Sequence, residues 1–363
     1  MSRSAYKDLV VELLRTLVET YSPTFEEAEA VEKLRRFTED KLSYDKVVVD
    51  EVGNLIASFG SGDRSVALVG HIDTVPGCLR VSSEGGVIRG RGAVDAKGPL
   101  AAAFVGASLA RELIGNDDLK VYAIALVGEE GPSHGAWNLV RSGFSTDYVV
   151  ICEPSGTVDV VIEYRGSATL TFKCWSKGGH TSGPHASESA CDSLISVWEM
   201  IRSEFSGSSA GEFSAALTKL SCGDGGPVLP KSGVMRVNIR VPYGVGYDEF
   251  SKLISELRIP GNCCAILESF TESVRAPVNT AVVRALYRAL IKQGLRPRLA
   301  RKLGTSDMNI LYGRVSTEVA AYGPGDPALS HTDEEFITVD DLVMGMLTYA
   351  NVIKELSDLS RRA

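Results

Sequence analysis

The apolar positions of the first forty residues recur at helical spacing. A first stripe of this kind is formed by Tyr6, Leu9, Val10, Leu13, Leu14 and Leu17. It predicts an amphipathic helix at the start of the chain. Pro23 breaks the pattern, and Thr24 is a residue type that caps helix N-termini. We therefore predict a second helix from Glu26 to Leu42.

The following residues change character, because short apolar runs rich in valine and isoleucine replace the helical pattern. Five such runs predict strands, at residues 47–49, 55–59, 66–69, 121–127 and 148–152. Between the third and the fourth, the alanine-rich stretch 100–114 predicts a helix, with Pro99 suited to its first turn. Nearly continuous apolar strands indicate a sheet that is buried on both faces, as in α/β proteins.

The pattern changes again after residue 162. Strands are predicted at 167–175 and 234–241, where apolar and polar positions alternate, and helices at 190–205 and 247–257. This order indicates an antiparallel sheet with helices on one face. After Val274 the α/β character returns with helix 280–293, strand 317–322 and helix 339–356. We predict a discontinuous α/β main domain, 1–162 and 273–363, that carries an inserted α+β domain at 163–272.

Composition narrows the class of protein. The 363 residues include 46 acidic and 38 basic side chains, a net charge of −8, which disfavours a protein that coats nucleic acid or anionic membrane. No apolar run is long enough for a membrane span, and the N-terminus lacks the pattern of a signal peptide. Seven cysteines without a C-x-x-C pair favour reduced thiols over a disulfide framework. We therefore expect a cytoplasmic protein.

Polar side chains follow several of the predicted strands. The strand at 66–69 runs into His71, and Asp73 follows two residues later. Side chains at the carboxyl ends of parallel strands face the crevice where ligands bind, and a metal-bound imidazole needs a carboxylate at its other nitrogen. One interpretation is therefore a metal ligand with its supporting acid. The alternative is a turn in which Asp73 only caps the backbone.

Three further acidic motifs fit the same edge of the sheet. Asp95 lies in a glycine-rich loop before the alanine-rich helix, either as a metal ligand or as a helix cap. Glu129 and Glu130 follow the strand at 121–127, and a cation would relieve the repulsion between them; the alternative is two solvated acids in a turn. Glu153 follows the next strand.

His331 follows the last predicted strand and completes a set of nitrogen and hard oxygen donors. Such a set suits two hydrolytic Zn²⁺, Co²⁺ or Mn²⁺ ions that share one bridging carboxylate. One glutamate of the 129–130 pair would remain free as a general base. Two rival interpretations are a two-metal phosphoesterase and a metal-free binding module on the same fold. The first should show further ligands and phosphate-binding cations, and the second should have lost a ligand or the base.

Taken together, these motifs resemble the M20 family of co-catalytic zinc hydrolases, which includes aminoacylases, carboxypeptidases and deacetylases. The resemblance covers essentially the whole chain. It rests on G-H-x-D-x-V-P-G at 70–77, G-R-G-x-x-D-x-K-G at 90–98, G-E-E-G at 128–131, E-P at 153–154, G-G-H at 178–180 and G-P-G…H…E at 323–335. It implies a zinc-peptidase-like main domain with a central mixed sheet flanked by helices. The inserted domain would be a lid through which the chain forms a homodimer.

The resemblance also implies a role for each motif residue. His71, Asp95 and Glu153 would hold one metal, and Asp95, Glu130 and His331 would hold the other. Glu129 would be the general base, and Asp73 would orient His71. His180 would stabilise the oxyanion in the active site of the partner subunit. The resemblance further implies a cis peptide bond between Asp95 and Ala96.

Substrate class follows from finer features of the resemblance. Glu153, rather than aspartate, is typical of the deacylase and desuccinylase branch. The run 92–100 and the compact insert resemble hydrolases that release lysine or ornithine from the glutamate terminus of an acidic amino-group carrier protein. Alternatives are acetylornithine deacetylase, succinyl-diaminopimelate desuccinylase, and an aminoacylase or peptidase of the family.

An amino-acid product needs a group that meets its α-carboxylate. Candidates are Arg240, Arg275 and the loop of Gly304, Thr305, Ser306 and Asp307. Each has a plain alternative, since an arginine is often a solvated surface charge and the loop could simply cap a helix. Asn238 stands where many relatives have aspartate, which weakens the assignment of Arg240. We expect His134 to be structural and leave the role of His185 open.

Overall fold

The computed structural model describes residues 3–183 and 189–361, so His185 lies outside the described residues. The chain divides into two compact units. Unit 1 comprises residues 1–162, 276–300 and 306–363, and unit 2 comprises residues 163–275 and 301–305. Relative to the boundaries expected from the sequence, two short segments, 273–275 and 301–305, belong to the second unit.

The helices and strands follow one another in a mixed order. The helices are α1 (Arg3–Val18), α2 (Ala28–Lys41), α3 (Lys97–Ala110), α4 (His134–Arg141), α5 (Ala190–Glu204), α6 (Tyr247–Ser255), α7 (Ala281–Lys292), α8 (Met308–Leu311) and α9 (Val339–Ser360). The strands are β1 (Lys46–Val49), β2 (Leu55–Phe59), β3 (Ser65–His71), β4 (Ser82–Glu84), β5 (Val87–Arg89), β6 (Lys120–Leu126), β7 (Tyr148–Ile151), β8 (Asp159–Tyr164), β9 (Gly166–Trp175), β10 (Gly179–His180), β11 (Ser214–Cys222), β12 (Val228–Leu229), β13 (Ser232–Val241), β14 (Cys263–Thr271), β15 (Val274–Arg275), β16 (Arg298–Lys302), β17 (Glu318–Ala321) and β18 (Phe336–Thr338).

Unit 1 is built on a mixed sheet with the strand order β1-β2-β6-β3-β7-β17-β8. The four central strands, β6, β3, β7 and β17, run parallel to one another, whereas β1, β2 and β8 pair in antiparallel fashion. β3 and β7 are buried almost throughout, as their continuous apolar sequences predict. The parallel strands all end at one edge of the sheet. The predicted α/β fold is confirmed.

The core of unit 1 is centred on α3, which is buried along its whole length. This helix packs against α1 and α9. A close approach is possible because Gly106 has no side chain, since a Cβ there would lie 2.6 Å from the main-chain oxygen of Met346 in α9. Apolar packing of this kind is the main source of stability in a domain of this size, and it holds rigid the strands and loops that carry the candidate ligands.

The second helix differs from its prediction. α2 begins at Ala28 rather than Glu26, and its N-cap residue, Glu27, makes no side-chain capping bond. The Thr24 hydroxyl instead donates to Oδ2 of Asp73 at 2.7 Å. The prediction of Thr24 as a helix cap is therefore wrong, because its hydroxyl is hydrogen-bonded to a residue 49 positions away in the sequence.

Unit 2 contains a four-stranded antiparallel sheet of order β11-β13-β9-β14. Its inward side chains form a separate apolar core with residues of α5 and α6, such as Leu194 and Phe250. The Ser189 side chain accepts a hydrogen bond from the Asp192 amide and begins α5 with a capping box. The antiparallel α+β character predicted for this segment is present, together with two strands, β11 and β14, that the sequence patterns did not predict.

Two disulfide bonds contradict the expectation of reduced thiols. Cys174 on β9 is bonded to Cys263 on β14, and Cys191 on α5 is bonded to Cys222 on β11. The bonded residues are 89 and 31 positions apart in the sequence. Strand register places Cys174 opposite Cys263, and no short-range motif reveals such a pairing. The odd number of cysteines therefore did not predict the absence of disulfide bonds. Four cysteines form the two bridges, and Cys78, Cys152 and Cys264 remain as free thiols.

Candidate active site

The parallel strands of unit 1 deliver the predicted site residues to one edge of the sheet. His71 is the last residue of β3, Glu129 and Glu130 follow β6, and Glu153 follows β7. Asp95 lies in the loop before α3. Because these strands are parallel, their carboxyl ends meet and the side chains that follow them converge.

One half of this cluster surrounds His71, which is almost fully buried. Its Nε2 lies 3.2 Å from Oδ1 of Asp95 and 3.6 Å from Oε1 of Glu153. Oε2 of Glu129 is slightly further, at 4.0 Å. One imidazole nitrogen thus faces three carboxylates from three different segments.

The other half surrounds His331, whose side chain is about half exposed. Its Nε2 lies 2.7 Å from Oε1 of Glu130 and 3.4 Å from Oδ2 of Asp95. Asp95 therefore presents one carboxylate oxygen to each imidazole. Three groups have donor atoms mutually within 4.8 Å: His71 with Asp95 and Glu153, Asp95 with Glu130 and His331, and His71 with Glu129 and Glu130.

The hydrogen bond at Nδ1 of His71 orients Nε2 towards the carboxylates. Nδ1 lies 3.0 Å from the main-chain oxygen of Asp73. A carbonyl oxygen only accepts, so this contact places a ring hydrogen on Nδ1. Nε2 lies within hydrogen-bond distance of Asp95; on loss of its proton it would offer a lone pair on the side of Asp95 and Glu153, which is the arrangement that metal-bound histidines require.

The Asp73 carboxylate mainly holds the turn that carries the two glutamates. It accepts hydrogen bonds from the main-chain amides of Glu129 and Glu130, each at 3.0 Å, and from Thr24. Its Oδ1 lies 3.4 Å from Nδ1 of His71. Asp73 thus touches both His71 and the Glu129–Glu130 turn, and its main-chain oxygen makes the shorter contact with the imidazole.

Glu335 plays a corresponding part for Asp95, and sequence analysis did not identify it as a site residue. The buried Glu335 carboxylate accepts from the main-chain amides of Val94 and Asp95 at 3.0 Å, and Arg91 pairs with its other oxygen. The peptide bond between Asp95 and Ala96 is cis, as the resemblance implied. The motif G-P-G…H…E already contained Glu335, so its position after His331 was the available signal.

The crowding of carboxyl groups perturbs their protonation. Burial raises the pKa of Glu153 to about 8, with the Asp95 carboxylate adding to the effect. Burial also raises the pKa of Glu129 well above its ordinary value, and the charges of Glu153 and Glu130 act in the same direction. Hydrogen bonds that His331 donates to the Asp95 and Glu130 carboxylates raise the pKa of His331 to about 10. Such a concentration of acidic donors around two imidazoles fits bound divalent cations, which would relieve the repulsion.

Asp307 is a second residue that was not included among the expected ligands. It is 3 % exposed, and its Oδ1 has no hydrogen-bond partner among the described residues. Burial raises the pKa of Asp307 to about 7; the Asp73 carboxylate adds to this rise, whereas a hydrogen bond from Ser133 opposes it. Its place directly after Gly304, Thr305 and Ser306 was the only sequence signal.

Ser306 lies in unit 1, two residues before the start of α8. Its amide donates to Oδ1 of Asn309 at 3.0 Å, and its hydroxyl accepts from the amide of Met308 at 3.2 Å. Both contacts are local to the turn that leads into α8, whose N-cap residue is Asp307.

The other predicted binding residues, Gly304 among them, belong to unit 2. Arg240 donates to the hydroxyl of Thr305 at 2.8 Å. Arg275 pairs with the buried carboxylate of Glu163 at 2.5 Å and lies over the ring of Tyr243. Arg275 is thus engaged in neutralising an internal acid.

His180 is exposed on the short strand β10 of unit 2, where its Nδ1 contacts the Ser182 hydroxyl at 2.8 Å. His134 is the first residue of α4 and packs against other residues of unit 1.

Comparison with known proteins identifies the family. Residues 67–355 match the family model described as Peptidase family M20/M25/M40. The chain belongs to this family, and it is a hydrolase that acts on amide bonds.

Several curated relatives carry the name LysW-lysine/LysW-ornithine hydrolase. The relative from Sulfurisphaera tokodaii is 38% identical over 98% of this chain and 97% of its own length. The relative from Saccharolobus islandicus is 33% identical over 96% of each chain. The predicted family is therefore confirmed.

Solved structures show the same fold. A tripeptidase from Staphylococcus aureus superimposes with a TM-score of 0.80 at 18% identity, over 97% of this chain and 99% of its own. A dinuclear metal-binding peptidase of the M20 family from Bacillus subtilis gives a TM-score of 0.72 at 14% identity, over 98% and 99%. None of the described helices has the length and hydropathy that a membrane crossing requires.

Proposed function

We propose that this chain releases lysine, ornithine or both from an acidic LysW-type amino-group carrier protein, by hydrolysis of the amide that joins them. The observation that carries the proposal is the near full-length similarity to relatives named for this activity, together with the cluster of His71, Asp95, Glu130, Glu153 and His331. The corresponding process would be the biosynthesis of lysine and arginine, and the corresponding location would be the cytoplasm.

Two divalent metal ions, zinc or alternatively cobalt, fit the donor set. His71, Asp95 and Glu153 would hold one ion, and Asp95, Glu130 and His331 would hold the other. The separate orientation of the two Asp95 oxygens towards the two imidazoles supports a bridging role. When bound, such ions polarise a carbonyl group and lower the pKa of a nearby water.

Glu129 is the group we assign to proton transfer. It accepts the proton of the attacking water and returns it to the leaving amine. Two facts support this role: its carboxylate lies beside the ligand cluster without being needed for either ion, and burial with its acidic neighbours raises its pKa. A general base works best when its pKa lies near the working pH. Asp73 would keep Glu129 in place through the hydrogen bond that its carboxylate accepts from the Glu129 main-chain amide.

Unit 2 would contribute substrate binding. We propose that His180 donates a hydrogen bond to the developing oxyanion of the partner subunit's site in a homodimer formed through this unit. Arg240 with Thr305, and the adjacent Gly304 and Ser306, would meet the α-carboxylate of the product. Arg275 is a weaker candidate, because Glu163 already occupies its guanidinium group.

A side-by-side release assay tests the substrate. Carrier-linked lysine, carrier-linked ornithine, N-acetylornithine and N-succinyl-diaminopimelate are each incubated with zinc-loaded enzyme, and the free amino acid is measured. We expect the highest kcat/KM for a carrier-linked substrate, with Glu129→Gln as the inactive control. A higher value for either small N-acyl substrate would assign the chain to the deacetylase or desuccinylase activity instead.

A further inference from the structure

The loop between α1 and α2 is fixed to the segment that follows His71. The amide of Thr74 donates to the main-chain oxygen of Ser22 at 3.0 Å, and Pro23 forms an isolated bridge with Thr74. The Thr24 hydroxyl donates to Asp73, whose carboxylate also holds the Glu129–Glu130 turn. Residues 22–24 are therefore anchored at the edge of the candidate active site.

Phe25, the next residue, has two unusual properties. Its φ of +75° lies in the left-handed region, which bulky residues rarely adopt. Its side chain is 73% exposed, so packing in a core does not explain the conformation. An unfavourable backbone conformation in a well-anchored loop is a reason to look for a function.

The phenyl ring is separated from the Glu129–Glu130 turn by the imidazole ring of His134. It stacks on the imidazole of His134, with centroids 5.4 Å apart and planes inclined by 10°. The imidazole in turn lies against Gly128, because a Cβ on that glycine would be 2.2 Å from Nδ1 of His134. Gly128 directly precedes Glu129. Phe25 thus presents an exposed apolar surface that is connected through His134 and Gly128 to the turn of the residue we assign to proton transfer.

We propose that Phe25, supported by His134, contacts the carrier-protein side of the substrate. This inference rests on the proposed function. A ring that is mostly exposed suits a partner extending beyond the site, as a protein carrier does. Exposed aromatic side chains with low conformational freedom are also typical anchors of protein interfaces. The stacked, anchored arrangement means that little side-chain entropy remains to be lost on binding.

The test compares Phe25→Gly with wild type on two substrates, carrier-linked lysine and the minimal amide γ-glutamyl-lysine. Glycine adopts a φ of +75° without strain, so this variant keeps the loop and removes only the ring. We expect KM for the carrier-linked substrate to rise about tenfold, a loss typical of one interface aromatic, while kcat/KM for γ-glutamyl-lysine stays within twofold. The matched control is Ile291→Ala, which removes a 58% exposed apolar side chain from α7 and should change neither value.

Thermal unfolding separates this role from a structural one. The Phe25→Gly protein should unfold at the same temperature as wild type or higher, whereas a ring needed for folding would lower it. If Phe25→Gly leaves KM unchanged for both substrates, or raises it equally for both, the proposed contact between Phe25 and the carrier protein is refuted. If wild type releases no lysine from the carrier, the proposed function itself fails, and this inference with it; an active wild type with an unaltered variant refutes this inference alone.

Discussion

Removal of the metal ions should make the stability of this protein fall steeply as the pH rises. The prediction rests on Glu153, whose pKa burial raises from 4.5 to about 8 in the metal-free protein. Below pH 4.5 the carboxyl is protonated in the folded and the unfolded chain alike. Between pH 4.5 and 8 unfolding releases its proton, so the free energy of unfolding decreases as the pH rises.

The size of the effect follows from the pKa shift. At 1.4 kcal/mol per pKa unit, Glu153 alone contributes up to about 5 kcal/mol across this window. His331 acts in the same direction, since its stabilising contribution is lost between pH 6.5 and its raised pKa of about 10. The two imidazoles lower the pKa of Asp95. The stabilisation that Asp95 provides is therefore complete above pH 4, and it does not change the direction in which the free energy of unfolding varies at higher pH.

Denaturant unfolding at pH 5, 6, 7 and 8 measures the effect. Metal-free protein, prepared with a chelator, should lose several kcal/mol between pH 5 and pH 8, and zinc-loaded protein should lose much less because bound cations favour the ionised carboxylates. Metal-free Glu153→Gln is the matched control and should show a weaker pH dependence. A metal-free wild type that is equally stable at pH 5 and pH 8 would refute the reasoning.

Four other predictions concern individual residues. Glu129→Gln should retain both metals and lose at least about a hundredfold in kcat; loss of one ion in metal analysis would instead assign the base to Glu130. Asp95→Ala should lose both ions and activity together, and retention of one tightly bound ion would contradict a bridging role. Cys191→Ser, which removes the Cys191–Cys222 bridge and leaves Cys174–Cys263 in place, should lower the stability of unit 2 by up to about 4 kcal/mol on the loop-entropy estimate, visible without reductant as a lower Tm than that of wild type; equal Tm values would contradict a stabilising bridge. Mixing His180→Ala with Glu129→Ala should restore part of the activity if subunits share their sites, and no recovery despite subunit exchange would exclude that arrangement.

The sequence predicted elements best where burial is uniform. The central strands β3, β6 and β7 and helix α3 are buried along nearly their whole length, so their sequences reveal them without knowledge of their neighbours. β11 and β14 were missed because they form the edges of the unit 2 sheet. Their side chains are largely exposed or half-buried, and each strand has a register irregularity that interrupts alternation.

The candidate ligands were predictable for a similar reason, since each follows an apolar strand or lies in a glycine-rich motif. Their supporting groups were harder to identify. Thr24 reaches Asp73 across 49 positions and Glu335 reaches Asp95 across 240, and both contacts depend on tertiary packing. The cysteine pairs depend on it in the same way, which is why counting cysteines led to the wrong redox state.

The point at which the chain first leaves unit 1, after Ile162, lies next to the point at which it returns, at Ala276. The amide of Ala276 donates to the main-chain oxygen of Ile162 at 2.8 Å. Residues 163–275 can therefore be regarded as one long loop whose two ends already touch. Every residue of the candidate metal cluster lies outside that loop, so exchanging the loop for another sequence would leave the proposed ion-binding side chains in their own covalent framework. With substrate binding assigned to unit 2, as we propose, specificity would then change separately from the hydrolytic centre.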